Sequence, residues 1–168
     1  MARALSRDKE ELRLYILMAR HVLQAVAQFC HRRLEEVGVK GNPGKAGYYF
    51  MPDFSVIRSE LSRAGIVTGQ EMCDDMLARA GVALMPSEAF LLSPADLSVR
   101  SVKCVSQQSE LKEMFRFCYV IFDGEACMAE LRGRSDRRVD EVFVRTFCPD
   151  IVRGVERLCQ WVTYWRSQ

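Results

Sequence analysis

Apolar residues recur at Leu12, Ile16, Ala19, Leu23, Val26, Cys30 and Leu34, at spacings of three and four. That period predicts a helix from Asp8 to Glu36 with one buried stripe. Ser6 is placed to cap it, Glu10 and Glu11 put acids in the first turn, and Gly38 and Gly41 are stop signals. A helix of this length is expected to be the spine of the domain. Pro43-Gly44 then marks a turn within the loop Gly41 to Gly47. Ala46 to Met51 reads as a strand whose successive aromatics predict cover on both faces. Pro52-Asp53 ends it, and Asp53 or Ser55 can cap a helix to about Ala64, closed by Gly65. Thr68 with Glu71 three residues on forms a capping box for the next helix. Met72, Met76, Leu77 and Ala80 are its expected apolar face, and after Gly81 the run Val82 to Met85 predicts a short buried strand before Pro86.

The second half is less regular. Leu91 to Glu113 is rich in Ser, Gln and Pro and reads as a surface insertion loop, with room for a short strand over 97–102. Met114 to Phe122 is dense in aromatic and β-branched residues and predicts a strand. Asp123-Gly124 opens a helix to about Leu131, Arg132 to Arg138 is a solvated basic loop, and Asp140 to Phe147 is helical. Pro149 starts the last helix, which presents Val155, Leu158, Cys159 and Val162 and runs to Trp165. No internal repeat is visible. The expected fold is one domain, residues 1–168, of α/β composition and α+β type: a two-layer sandwich with a small, mostly antiparallel sheet packed against helices.

Composition narrows the class of function. The 168 residues carry 24 basic and 22 acidic groups, a formal charge of +2, which gives no electrostatic case for a nucleic-acid partner. The longest apolar runs are too short to span a membrane. The opening residues are charged and lack the apolar core of a secretory signal, so a cytoplasmic location is expected. Seven cysteines, at 30, 73, 104, 118, 127, 148 and 159, include no Cys-x-x-Cys pair. Odd number and wide spacing argue against a disulfide framework and for small buried hydrophobes. With His21 and His31 as the only histidines, no metal-ligand cluster is legible.

No nucleophile elbow, Walker-type phosphate loop or His-Glu-x-x-His pair is present. The glycine-rich stretch Gly41 to Gly47 precedes a strand instead of opening a helix, so it reads as a turn and not a phosphate cradle. Cys30 and His31 are adjacent on a helix and point in different directions, which excludes them as a nucleophile–base pair. A hydrolase built on Cys118 or Cys127 lacks a partner base.

Three stretches carry a resemblance: Gly-Asn-Pro-Gly-Lys-Ala-Gly-Tyr-Tyr-Phe-Met-Pro-Asp-Phe (41–54), Gly-Ile-Val-Thr-Gly-Gln-Glu-Met-Cys (65–73) and Gly-Val-Ala-Leu-Met-Pro-Ser-Glu-Ala-Phe (81–90). With Ile16 to Val39 and Arg116 to Gly124, their order and spacing resemble the C-terminal (small) domain of class I/II, fold type I, pyridoxal-phosphate-dependent aminotransferases. The resemblance implies amino-group transfer between an amino acid and a 2-oxo acid. It also implies that Arg116, at the head of Arg-Phe-Cys-Tyr-Val-Ile-Phe-Asp-Gly (116–124), grips the substrate carboxylate. The planar guanidinium fork suits that role. Leu97-Ser98-Val99-Arg100 resembles the run leading up to the same arginine, with Ser101 to Arg116 interposed, so Arg100 is the second choice.

The same resemblance implies that the Schiff-base lysine, the acid partner of the pyridinium nitrogen and the phosphate-binding loop lie upstream of the long helix. Lys9, Lys40, Lys45, Lys103 and Lys112 lie in no segment resembling the Schiff-base motif. No catalytic residue is therefore expected in this chain, and no pyridoxal phosphate is expected to bind it alone. The expected partners are a pyridoxal-phosphate-binding large domain or subunit, or a second copy in a homodimer. The chain is then a fragment, a subunit or a stand-alone relative; a different class, a non-catalytic interaction module keeping the fold, is the alternative.

Overall fold

A helix of 35 residues, α1 (Ala2–Glu36), organises the chain. The computed structural model describes residues 2–42, 47–86, 115–134 and 138–168. The expected turn at Pro43-Gly44, the insertion loop 91–113 with its strand over 97–102, and the middle of the basic loop lie outside the described residues. Helix α1 starts six residues before Asp8, so Ser6 lies within it and not at its cap. Its far end stops as expected. The N–H of Val39 bonds the Leu34 carbonyl and that of Gly38 bonds Glu35, a Schellman arrangement that needs the left-handed φ of +85° at Gly38.

Two short strands follow, β1 (Lys40–Asn42) and β2 (Tyr49–Asp53), then a 3-10 turn (Ser55–Ile57) continuing into α2 (Arg58–Arg63). Next come α3 (Gly69–Ala80), β3 (Met85–Pro86), β4 (Phe115–Cys118), α4 (Gly124–Gly133), α5 (Glu141–Phe147) and α6 (Pro149–Arg166). The strands form one sheet in the order β1-β2-β4-β3, with every pair antiparallel. A mixed helix-and-strand fold with an antiparallel sheet is the α+β type, as expected; no described pair is parallel.

Several boundaries differ from expectation, each for a local reason. Strand β1 falls where a loop was expected, because Gly41 lets the backbone approach β2: a Cβ there would stand 3.2 Å from the Met51 carbonyl oxygen. Strand β2 begins at Tyr49 instead of Ala46 and continues through Pro52, which is paired with Gly41 and lies beyond the part of β2 bonded to β4. It is not covered on both faces: Phe50 is buried, while Tyr48 and Tyr49 are exposed. β3 covers only the end of the run expected as a strand, and β4 stops at Cys118 short of Phe122. Asp53 does not cap a helix directly; its Oδ1 accepts from the Ser55 N–H in the turn before α2.

The core lies between the Phe50/Phe117 face of the sheet and the helices. Phe50 and Phe117 pack at 5.0 Å between ring centroids. Around them gather Val26, Cys30 and Leu34 of α1 with Val155, Leu158 and Val162 of α6, all buried. Each fully buried side chain of this size contributes about 1.5–3 kcal/mol. Leu77, expected on the inner face of α3, is exposed, and Cys73 takes its place in the core. The α1 stripe is buried only from its middle onward: Leu12, Tyr15, Ile16 and Leu17 are exposed. The basic loop is more structured than expected, since Arg134 pairs with Glu130 at 2.8 Å and lies over the Phe143 ring.

The starts of α3, α4, α5 and α6 follow the sequence closely. Asp123 and Asp140 cap α4 and α5 through Oδ1, accepting from the N–H of Ala126 and Phe143. The capping box of α3 is complete: Thr68 Oγ1 accepts from the Glu71 N–H, and Glu71 accepts from the N–H of Thr68 and Val67. Replacing Thr68 by alanine is expected to cost about 1 kcal/mol in a urea melt. These backbone donors hold the Glu71 carboxyl below its ordinary value of 4.5. A depressed folded-state pKa adds stability above the unfolded value and loses it as the pH falls through the folded one. Below pH 4.5 the wild type is therefore expected to lose stability that Glu71→Gln does not, since glutamine keeps the cap without titrating. Parallel acid melts in which the two proteins lose stability equally would disprove this.

Candidate functional site: the open face of the sheet

β4 is an interior strand, bonded to β2 on one side and β3 on the other. Alternation along it puts Phe117 on the helix-covered face and positions 116 and 118 on the opposite one. Arg116 pairs with Met85, and Cys118 with Tyr49. Met85 and Tyr49, the register partners of Arg116 and Cys118, are 40% and 39% exposed. The strand is held from behind: Tyr119 is buried, its hydroxyl donates to the Gly47 carbonyl at 2.8 Å, and its backbone N–H bonds Tyr48. Asp123, a neighbouring acid, is engaged in capping α4. Arg100, the second candidate for carboxylate binding, lies outside the described residues.

The nucleophile readings of Cys30 and Cys127 find no support in the geometry, and Cys118 is half-buried. Cys30, Cys73, Cys127, Cys148 and Cys159 are buried and all are free thiols; Cys104 lies outside the described residues. Burial pushes the thiols of Cys30 and Cys127 up, that of Cys148 up to about 12 and that of Cys159 up to about 11. Thiols held that far from ionisation are poor nucleophiles. Cys127 has the Cys148 sulfur at 3.9 Å and the Phe147 carbonyl at 3.8 Å as neighbours, neither of them a base. His31 is structural: Nε2–H donates to the Gly41 carbonyl at 3.0 Å, tying β1 to α1, and Nδ1 lies 3.3 Å from Glu35. Among the described residues no group of three or more His, Cys, Asp or Glu is arranged to hold a metal ion. No described helix is long and apolar enough to cross a membrane.

Neither lysine among the described residues sits in a desolvated pocket. Lys9 on α1 and Lys40 on the edge strand β1 are exposed. A Schiff-base lysine works from a desolvated pocket that lowers its pKa.

A second polar cluster escaped the sequence reading. Asp75 on α3 accepts three donors: Arg79 Nε at 2.7 Å, Trp161 Nε1 at 2.8 Å and Trp165 Nε1 at 3.1 Å. Arg79 also donates to the Tyr164 hydroxyl and lies over the Tyr164 and Trp165 rings at 5.1 and 5.5 Å. Two indoles spaced four apart on α6 were the available signal, because they share one helix face and each carries a donor to satisfy. Compared with known families and with curated proteins, the sequence matches none.

Proposed function

We propose that this chain supplies the carboxylate-binding side of a pyridoxal-phosphate-dependent aminotransferase-like cleft, with Arg116 as the residue that grips the substrate carboxylate. The observation carrying this reading is the register of Arg116 on an interior strand, opposite the exposed Met85. An arginine there is fixed at its Cα by two neighbouring strands, and a substrate carboxylate would approach from the side of the exposed Met85 and Tyr49. The cofactor chemistry, a carbonyl group that forms an imine with the substrate amine, belongs to a separate large domain or subunit. The exposed residues Leu12, Tyr15, Ile16 and Leu17 give such a partner, or a second copy, an apolar ridge to cover. That ridge alone equally favours the second reading, a non-catalytic interaction module.

The absence of a suitable lysine from the described residues makes a sharp expectation. Purified chain incubated with pyridoxal phosphate and then borohydride is expected to carry no stoichiometric adduct at any one lysine, as read by peptide mass spectrometry. A single fully modified lysine would overturn the division of labour proposed here.

A further inference from the structure

Where the C-terminal end of α3 meets α6, the surface is indented by a cleft of about 490 Å³. Arg79, Gly81, Arg157, Gln160, Trp161 and Tyr164 line it. Two guanidiniums thus share one concavity. Arg79 is held in place by Asp75 and Tyr164 through Nε and one Nη, and its other Nη has no acceptor among the described residues. Arg157 has no hydrogen bond or ion pair among the described residues, and its Nη1 comes close to Gly81, where a Cβ would meet it at 3.3 Å. Asp75 accepts one donor at Oδ1 and two at Oδ2.

We propose that this cleft binds a planar organic monocarboxylate, with the carboxylate on Arg157 and the unused Nη of Arg79 and the apolar body against Tyr164. Charge selects a monoanion. Two guanidiniums and one carboxylate leave a single net positive charge, and the partial negative charge at the C-terminal end of α3 faces the same space. A dianionic phosphate would be over-charged there. The planar fork of arginine favours the two parallel hydrogen bonds of a carboxylate. The aromatic lining favours a ligand with a ring, and burying that ring supplies most of the affinity. The site is separate from the open sheet face and does not depend on Arg116.

The chain supplies its own reporter, because its only two tryptophans are Trp161 and Trp165, both bonded to Asp75. Benzoate, excited past its own absorbance, is expected to change tryptophan emission saturably, with half-saturation on the order of millimolar for so small a ligand. Acetate and inorganic phosphate at matched ionic strength are expected to bind more weakly. Arg157→Ala and Arg157→Gln are expected to raise the half-saturation point about tenfold or more, with unchanged circular dichroism and melting, since Arg157 is exposed. Arg116→Ala is expected to leave the titration unchanged. A response no different from that of sodium chloride, tighter binding of phosphate than of benzoate, or a titration unaltered by both Arg157 substitutions would each overturn the proposal.

Discussion

Replacing Asp75 by alanine is expected to destabilise the chain by about 2–5 kcal/mol, a large fraction of the total stability of an ordinary domain. The ion pair with Arg79 is not the reason, because that guanidinium is solvated and an exposed pair of this kind is worth little. The cost comes from the two indoles. Trp161 and Trp165 are 3% and 5% exposed, and without Asp75 their N–H groups have neither an acceptor nor free access to water. Each buried donor left unmade costs about 1–3 kcal/mol. Asparagine retains one acceptor oxygen, so Asp75→Asn is expected to fall between alanine and the wild type. A double-mutant cycle isolates the effect: Trp161→Phe removes one donor, and in that background Asp75→Ala is expected to cost less. Urea melts supply all four stabilities. An alanine variant within about 0.5 kcal/mol of the wild type would reduce Asp75 to a surface partner of Arg79.

Elements bounded by their own local chemistry were legible in the sequence. Thr68 with Glu71, Asp123, Asp140 and Pro149 each mark a helix start whose orphan N–H groups need satisfying or avoiding, and each stands where expected. Gly38 is equally local, since only a left-handed residue completes the end of α1. What failed depended on partners remote in the chain. Lys40-Gly41-Asn42 has no strand pattern, and it becomes β1 because Gly41 permits a close approach to Met51 and its carbonyl receives His31. Leu12 and Ile16 continue a regular helical stripe, but periodicity cannot say where the chain's own core ends along it. Asp75 four residues before Arg79 reads as an ordinary surface pair; its role appears only when Trp161, 86 residues later, folds back onto it. The strand bearing Arg116 was legible from its aromatic and β-branched density, whereas its place in the sheet interior required the pairing with β2 and β3.

The second large effect concerns Arg116. If the open face grips a carboxylate, binding rests on charge-assisted hydrogen bonds from one guanidinium, worth roughly 1.5–3 kcal/mol, or about tenfold to a hundredfold in affinity. Arg116→Ala is expected to lose that factor. Arg116→Lys is expected to recover only part of it, because an ammonium keeps the charge but not the fork. The core lies on the other face of β4, behind Phe117, so neither substitution is expected to unfold the chain.

The most direct measurement is a titration of the isotope-labelled chain with 2-oxoglutarate, followed amide by amide. The account predicts saturable shifts confined to the open face, at Tyr49, Met85 and Phe115 to Cys118, weakened about tenfold or more by Arg116→Ala. Shifts confined to the cleft at Arg79 and Arg157, no saturable shifts at all, or a map unchanged by Arg116→Ala would contradict it.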